Sequence, residues 1–210
     1  MLTYDYALTV IITMITVVDP FGLAPIFITL AGRFERKKQI RIILKSFTVA
    51  MFVSLLFLFF GKYIFHYLEI SYNAVFIVGG ILLFLIGLDM IYAQPRKSRS
   101  SPDEQEEALH HEDLSVFPLA IPMISGPGTI ATIVMFASRH ETPANYLLVF
   151  ASVLVSYGLA ALVMLFSLRL IAILGRTGLN VLGRLMGMIL AALAVQFIIN
   201  AVTDILKIAP

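Results

Sequence analysis

The feature that most constrains this chain is a series of six long apolar segments, each of the length that crosses a bilayer. A helix needs about 20 mostly apolar residues to span the hydrocarbon core. The predicted spans cover residues 6–30, 42–65, 74–91, 114–137, 146–168 and 179–202. Only 13% of the 210 residues are charged, whereas soluble domains carry about 25%. The sequence therefore predicts an all-α integral membrane protein whose partner is the lipid bilayer.

The basic residues are distributed unevenly among the connections between these spans. The first, third and fifth connections and their flanks hold twelve Lys and Arg residues, whereas the second, the fourth and the C-terminal end together hold three. Basic residues concentrate in cytoplasmic loops. We therefore predict a multi-pass plasma (inner) membrane protein with both termini outside. The third connection, residues 92–113, changes from basic to acidic and is predicted to be a cytoplasmic linker.

The linker divides the chain into two similar halves, residues 1–91 and 114–210. Each half holds a motif with two prolines five residues apart, Asp19-Pro-Phe-Gly-Leu-Ala-Pro25 and Pro122-Met-Ile-Ser-Gly-Pro-Gly-Thr129. The third and sixth spans align without gaps at an offset of 107 residues, which pairs Gly80 with Gly187. Because three spans are an odd number, the halves would run in opposite directions. This pattern predicts a 3+3 inverted-topology repeat with a substrate site between the halves.

The prolines and glycines of these motifs are predicted to break the first and fourth helices at mid-membrane. A proline in a helix interior costs about 3 kcal/mol, because it lacks an N–H and collides with the preceding turn. Freed backbone groups cannot face lipid, so each break should be buried or line a wet cavity. Pro20 and Pro127 suit the first position of a new half-helix, whose N-terminus favours an anion such as a carboxylate. The N–H groups predicted to be free are those of Phe21, Gly22, Gly128, Thr129 and Ile130.

Two acidic residues lie clearly inside the spans. A carboxylate at membrane depth costs about 2.5–3.5 kcal/mol on insertion scales, so it usually faces a cavity or a partner. Asp19 lies in the first motif and is the first candidate for ion or proton coupling. Asp89 is the second candidate, although its position near a span end is explained equally well by reach to the interface. Gln196 and Asn200 share a helix face, where substrate contact and helix–helix hydrogen bonding are equally good interpretations.

Small and amide residues suggest structural roles elsewhere in the spans. Asn73 and Asn180 begin their spans and are predicted to cap them. The glycines predicted to be close-packing points are Gly79, Gly80, Gly87, Gly183 and Gly187, the last two in a small-xxx-small pattern.

With these motifs in view, the chain resembles the MarC family, which includes a transporter of small neutral amino acids. The resemblance rests on residues 18–25, 79–89 and 122–129 and on the final helix with Gln196. It implies cation-coupled movement of glycine, alanine or similar amino acids across the plasma membrane. Half-helix amides would hold the carboxylate, and Asp19 with freed carbonyls the ammonium. The substrate-binding residues carried over by position are Asp19, Pro20, Gly22 and Pro25 in one half, and Ser125, Gly126, Pro127, Gly128 and Thr129 in the other.

Other functions fit the sequence less well. The chain has no cysteine, and its four histidines fall in predicted connections or at span ends, which argues against an intramembrane hydrolase, a catalytic residue or a metal site. No Walker A motif is present, so an ATP-driven pump is disfavoured. A channel or an exporter for another small polar solute is the main alternative. We predict no cofactor beyond Na+ or H+ as coupling ion and no nucleic-acid partner. The exact substrate, import or export, the coupling ion and an oligomeric state stay open.

Overall fold

The computed structural model describes residues 4–92 and 114–208, whose regular structure is entirely helical. The predicted linker therefore lies outside the described residues, apart from Tyr92. The eight helices are α1 Tyr4–Val18, α2 Pro20–Ala31, α3 Arg36–Tyr67, α4 Tyr72–Ile91, α5 Ser115–Ile124, α6 Pro127–Arg139, α7 Pro143–Leu165 and α8 Ser167–Ile208.

Several of these helices are long and apolar enough to cross a membrane. Within the described residues there are five such stretches, Tyr4–Ala31, Arg36–Tyr67, Tyr72–Ile91, Pro143–Leu165 and Asn180–Leu206. They correspond to all the predicted spans except the fourth. The fourth is divided between α5 and α6, which have 10 and 13 residues, and each is too short to cross alone. The all-helical, multi-span architecture is confirmed, and a sixth crossing by α5 and α6 together stays a prediction.

Prolines explain why α5 is short and irregular. It is a π-helix that contains two extended residues, Phe117 (φ −124°, ψ 130°) and Ile121 (φ −129°, ψ 127°). Each directly precedes a proline, Pro118 or Pro122. A proline ring crowds the backbone of the residue before it and disfavours the α conformation there. The spacing of these prolines therefore prevents a continuous helix through the fourth apolar segment.

One end of the bundle, here called the Glu141 end, gathers residues from both halves of the chain. The ring of Tyr6 packs against His140 with centroids 5.0 Å apart. Glu141 accepts hydrogen bonds of 3.0 Å from the Lys62 ammonium and the Tyr72 hydroxyl. The hydrogen bond from Lys62 is the main reason that the pKa of the Glu141 carboxyl is lowered. The start of α1, the end of α3, the start of α4 and the end of α6 therefore lie together.

The opposite end, here called the Arg36 end, is marked by a single strong contact. Arg36 Nη1 donates a 2.6 Å hydrogen bond to the carbonyl oxygen of Leu165, which joins the start of α3 to the end of α7. Since α2 leads directly into α3, it runs toward the Arg36 end, whereas α6 runs toward the Glu141 end. The two helices thus extend in opposite directions from their first residues, Pro20 and Pro127.

Helices α4 and α8 pack so closely that their backbones touch. A Cβ atom on Gly187 would lie 2.8 Å from the carbonyl oxygen of Gly87, and one on Gly80 would lie 2.9 Å from the carbonyl oxygen of Ala194. Only glycine permits this approach. The close-packing prediction is confirmed for Gly80, Gly87 and Gly187 and is wrong for Gly183, whose Cβ would meet nothing within 4 Å.

Two predictions about helix ends are corrected. The cap of α4 is Ser71, whose side chain accepts a 3.2 Å hydrogen bond from the Ala74 N–H, so Asn73 lies one residue inside the helix. Asn180 lies in the interior of α8, because the predicted fifth connection is itself helical. That helix changes direction at Gly175 (φ 65°, ψ 174°), a positive-φ conformation that glycine adopts without steric cost.

Candidate functional site at two helix interruptions

The first interruption is a single residue, Asp19, between α1 and α2. Its backbone is left-handed (φ 52°, ψ 70°), a region in which aspartate is enriched among non-glycine residues. Its Oδ1 accepts a 3.1 Å hydrogen bond from the Gly22 N–H, and the residue is 1% exposed. The N–H group and the helix dipole both favour a negative charge at this position. The sequence therefore folds a carboxylate into the interior at the start of α2.

The N–H groups at the start of α2 differ from the prediction. The Gly22 N–H was expected to be free, but it is occupied by the Asp19 side chain. The reason is local, because an aspartate at the cap reaches the N–H three residues ahead. The Phe21 N–H has no acceptor among the described residues.

The second interruption lies between α5 and α6. Gly126 is the N-cap of α6 (φ −83°, ψ 177°) and Pro127 occupies the first turn. The Ile130 N–H donates to the Gly126 carbonyl at 2.9 Å, so the prediction that it is free is wrong. In the described part of the chain the N–H groups of Gly128 and Thr129 have no acceptor, as expected for a helix first turn without a capping side chain. Both residues are buried.

Side chains and main chain bridge this second interruption. The Thr129 hydroxyl donates to the carbonyl oxygen of Ile124 at 3.0 Å, and the Ser125 N–H donates to the carbonyl oxygen of Ala120 at 2.9 Å. These bonds fix the end of α5 relative to the start of α6. The donor of Thr129 that is left to meet a ligand is therefore its main-chain N–H.

A buried cluster of three hydroxyls supports the same interruption. Ser54 Oγ lies 2.6 Å from Tyr157 Oη and 3.3 Å from Ser125 Oγ. The three residues come from α3, α7 and the α5–α6 junction, and each is at most 3% exposed. Sequence reasoning missed Ser54 and Tyr157, because isolated hydroxyls inside apolar spans carry no spacing signal.

The two interruptions are neighbours in space. A Cβ atom on Gly128 would lie 2.9 Å from Ile86 Cδ1, 3.2 Å from Leu83 Cδ2 and 3.9 Å from Val17 Cγ1. The start of α6 therefore lies against α4 and against the end of α1, two residues before Asp19. Apolar side chains, the buried Asp19 carboxylate and the free N–H groups of Gly128 and Thr129 therefore lie in the same region.

The predicted prolines contribute through the backbone more than through their rings. Pro20 is buried, whereas Pro25 and Pro127 are exposed. Pro25 lies inside α2, where its carbonyl oxygen accepts a 2.9 Å hydrogen bond from the Thr29 hydroxyl. Pro20 and Pro127 both set the first turn of a helix, a position at which the missing N–H of proline costs nothing.

The remaining predicted residues lie away from the interruptions. Asp89 follows Ile86 by one turn toward the Arg36 end and is partly exposed. Gln196 is exposed and donates a 2.8 Å hydrogen bond to Asn200 Oδ1 on its own helix. This bond runs along α8, and both predicted interpretations of the pair, substrate contact and a hydrogen bond between helices, stay predictions.

Tyr157→Phe is expected to lower the free energy of unfolding by about 1 kcal/mol, because the buried Ser54 hydroxyl loses its 2.6 Å partner. The apparent melting temperature of the purified protein in detergent measures the effect. Tyr67→Phe is the matched control, since Tyr67 is 88% exposed and should tolerate the change. Equal shifts in both variants would show that the cluster does not stabilise the fold.

Comparison with known proteins places this sequence in a family. Residues 4–206 match the family described as "MarC family integral membrane protein". A UPF0056 membrane protein of Aquifex aeolicus (strain VF5) is 32% identical over 197 residues, 93% of this chain and 92% of the relative. UPF0056 membrane protein YvbG of Bacillus subtilis (strain 168) is 34% identical over 196 residues, 93% of each chain. UPF0056 inner membrane protein YhgN of Escherichia coli (strain K12) is 31% identical over 191 residues, 91% of this chain and 93% of the relative. No solved structure matches.

Proposed function

Because the chain belongs to the MarC family of integral membrane proteins, we propose that it is a secondary transporter of small neutral amino acids of the glycine and alanine type. Transport proceeds by alternating access between two inverted halves and is coupled to Na+ or H+. The name of the Escherichia coli relative, an inner membrane protein, supports the plasma membrane as its location.

The observation that carries this proposal is the pair of helices that begin with proline directly after an interruption. Pro20 opens α2 and Pro127 opens α6, and the two helices run to opposite ends of the bundle. Their positive dipole ends therefore point back toward one interior region from opposite directions. Paired half-helices of this kind form the substrate sites of transporters built from inverted repeats.

One offset relates the two halves over most of their length. The starts of α2 and α6 differ by 107 positions (20 and 127), as do the starts of α3 and α7 (36 and 143). This is the offset that aligns the third and sixth spans. It pairs Pro20 with Pro127, whereas the five-residue spacing of the prolines had suggested pairing Pro20 with Pro122. The helix starts therefore support a duplication in which Pro127, the second proline of its motif, corresponds to Pro20, the first proline of its motif.

The contacts between the two halves follow the same correspondence of helices. Helix α2 packs on α7 and α8, and its counterpart α6 packs on α3 and α4. At the α4–α8 crossing, a shift of 107 residues converts one set of contacts into the other. The exchanged contacts are Gly80 with Ala194 and Ile198, and Gly187 with Gly87 and Ile91. Low residue numbers of α4 meet high numbers of α8, so the two helices are antiparallel, as an inverted repeat requires.

The chemistry of the interruptions suits a small zwitterion. The free N–H groups of Gly128 and Thr129 would bind a carboxylate, with the α6 dipole behind them. The buried Asp19 carboxylate would bind the ammonium group or the coupling cation. Leu83 and Ile86 already crowd Gly128, at 3.2 and 2.9 Å from a Cβ placed there. Because the start of α6 is this closely packed, the amino acid that we propose as substrate has a small side chain.

The proposal is tested by uptake into proteoliposomes that contain the purified protein. We expect saturable uptake of labelled alanine or glycine that depends on a Na+ or H+ gradient. Flux that grows without saturation would assign the protein to the channel alternative instead. Absence of uptake for a panel of small amino acids under both gradients would overturn the substrate class.

A further inference from the structure

A cavity of about 170 Å³ opens at the Glu141 end, away from the two interruptions. The start of α4, the end of α6 and the last turns of α8 line it, so it lies between the two halves of the chain. Pockets for drug-sized ligands begin at about 300 Å³. The cavity is therefore of a size for a solute with few non-hydrogen atoms.

The cavity combines two opposite charges that are not neutralised by each other. Arg139 and Asp204 both line it, and within residues 4–92 and 114–208 neither side chain forms an ion pair or a hydrogen bond. A guanidinium group presents paired donors that match a carboxylate, and a carboxylate accepts hydrogen bonds from an ammonium group. A molecule that carries both charges can engage both residues at once.

Two uncharged residues of the same cavity, Ser138 and Asn200, also have polar groups without a hydrogen-bond partner among the described residues. Ser138 is 8% exposed, and its buried hydroxyl has no hydrogen-bond partner among the described residues. A buried hydroxyl left unpaired is costly, so this position favours a ligand that bonds to it. Asn200 accepts from Gln196 through Oδ1, which leaves its amide N–H groups as donors toward the cavity.

Aromatic rings packed edge to face separate the cavity from the interior. Phe76 lines the cavity and packs edge-on against Phe197 at 6.4 Å, and Phe197 packs against the fully buried Phe136 at 5.9 Å. Ser138 follows Gly128 by ten residues along α6, a distance of about 15 Å at 1.5 Å per residue. The cavity is thus a location distinct from the interruptions, with an apolar barrier between them.

We propose that this cavity is a second binding site, which takes up a small zwitterionic amino acid before the solute passes to the interruptions. The carboxylate of the solute binds Arg139 and Ser138, its ammonium group binds Asp204, and its small side chain rests on Phe76. The inference rests on the proposed transport function for its role, and the Glu141 end is the side that the basic residues predict to be external.

The test is equilibrium binding of labelled alanine to the purified full-length chain in nanodiscs. We expect two sites per chain. Arg139→Gln and Asp204→Asn should both remove the site in the cavity, whereas Asp19→Asn should remove the site at the interruptions. Propionate and ethylamine, which each carry one charge of the zwitterion, should compete at least tenfold more weakly than alanine. Asp5→Asn is the matched control, because Asp5 is an exposed carboxylate at the start of α1 that does not line the cavity.

Uptake separates this inference from the transport proposal. In proteoliposomes the Arg139 and Asp204 variants should raise the KM for alanine about tenfold and leave the maximal rate nearly unchanged. Unchanged binding and unchanged KM in both variants would overturn the second site. A single binding site that only Asp19→Asn removes would also overturn it, and so would a wild-type protein that binds no alanine. Binding that Arg139→Gln abolishes in a protein without uptake would keep the site and refute transport.

Discussion

Asp19→Asn should abolish amino-acid uptake, or separate it from the ion gradient, while the protein stays folded. Asparagine has the same size as aspartate, and its carbonyl oxygen can still accept the Gly22 N–H that caps α2. The substitution removes the negative charge and replaces one acceptor oxygen with an NH2 group, on a side chain that is 1% exposed. If that charge binds the ammonium group or the coupling cation, its loss should lower uptake at least tenfold.

Initial uptake rates in proteoliposomes, with and without a Na+ or H+ gradient, measure the effect. The apparent melting temperature of each variant shows that the fold is retained. Asp5→Asn controls for loss of an exposed carboxylate on the same helix, and Asp89→Asn reports on the second predicted candidate, which is partly exposed. Full, gradient-dependent uptake by the Asp19→Asn protein would remove this residue from the mechanism.

Gly187→Ala should destabilise the protein, whereas Gly183→Ala should leave it unchanged or stabilise it. Both glycines lie in α8, so both substitutions gain the same helix propensity, up to about 1 kcal/mol. A Cβ on Gly187 would lie 2.7 Å from Met90 Cβ and 2.8 Å from the carbonyl oxygen of Gly87, whereas one on Gly183 meets nothing within 4 Å. The difference between the variants isolates an overpacking cost of about 1–3 kcal/mol.

Thermal unfolding of the two variants in the same detergent measures this difference. Gly80→Ala provides a further check, because its Cβ would lie 2.9 Å from the carbonyl oxygen of Ala194 and should be destabilising in the same direction. Equal melting temperatures for the Gly183 and Gly187 variants would show that α4 and α8 do not cross as closely as described.

Local chemistry explains the parts of the site that the sequence could predict. The helix starts at Pro20 and Pro127 agree with local chemistry, because the fixed φ and the missing N–H of proline are tolerated best in the first turn of a helix. The same local logic accounts for α5, whose extended residues both precede prolines. That signal is present in the sequence at both Pro118 and Pro122.

Predictions that needed knowledge of neighbours were less successful. Gly183 and Gly187 are equivalent in the sequence motif, yet only Gly187 faces a neighbouring helix. Ser54 and Tyr157 meet across two helices that are about one hundred residues apart in the chain, at 2.6 Å, and nothing in their local sequence encodes that meeting.

The sequence by itself determined that this chain is a multi-span helical membrane protein, because apolarity and length are properties of each segment alone. It also indicated the two regions where helices are interrupted, because proline restricts its own backbone and that of the residue before it, although Pro25 lies inside α2. Only the tertiary structure decided which glycines carry the crossing of α4 and α8, and which hydroxyls support the second interruption. Those features depend on distances between segments remote in the chain, which packing sets and composition does not.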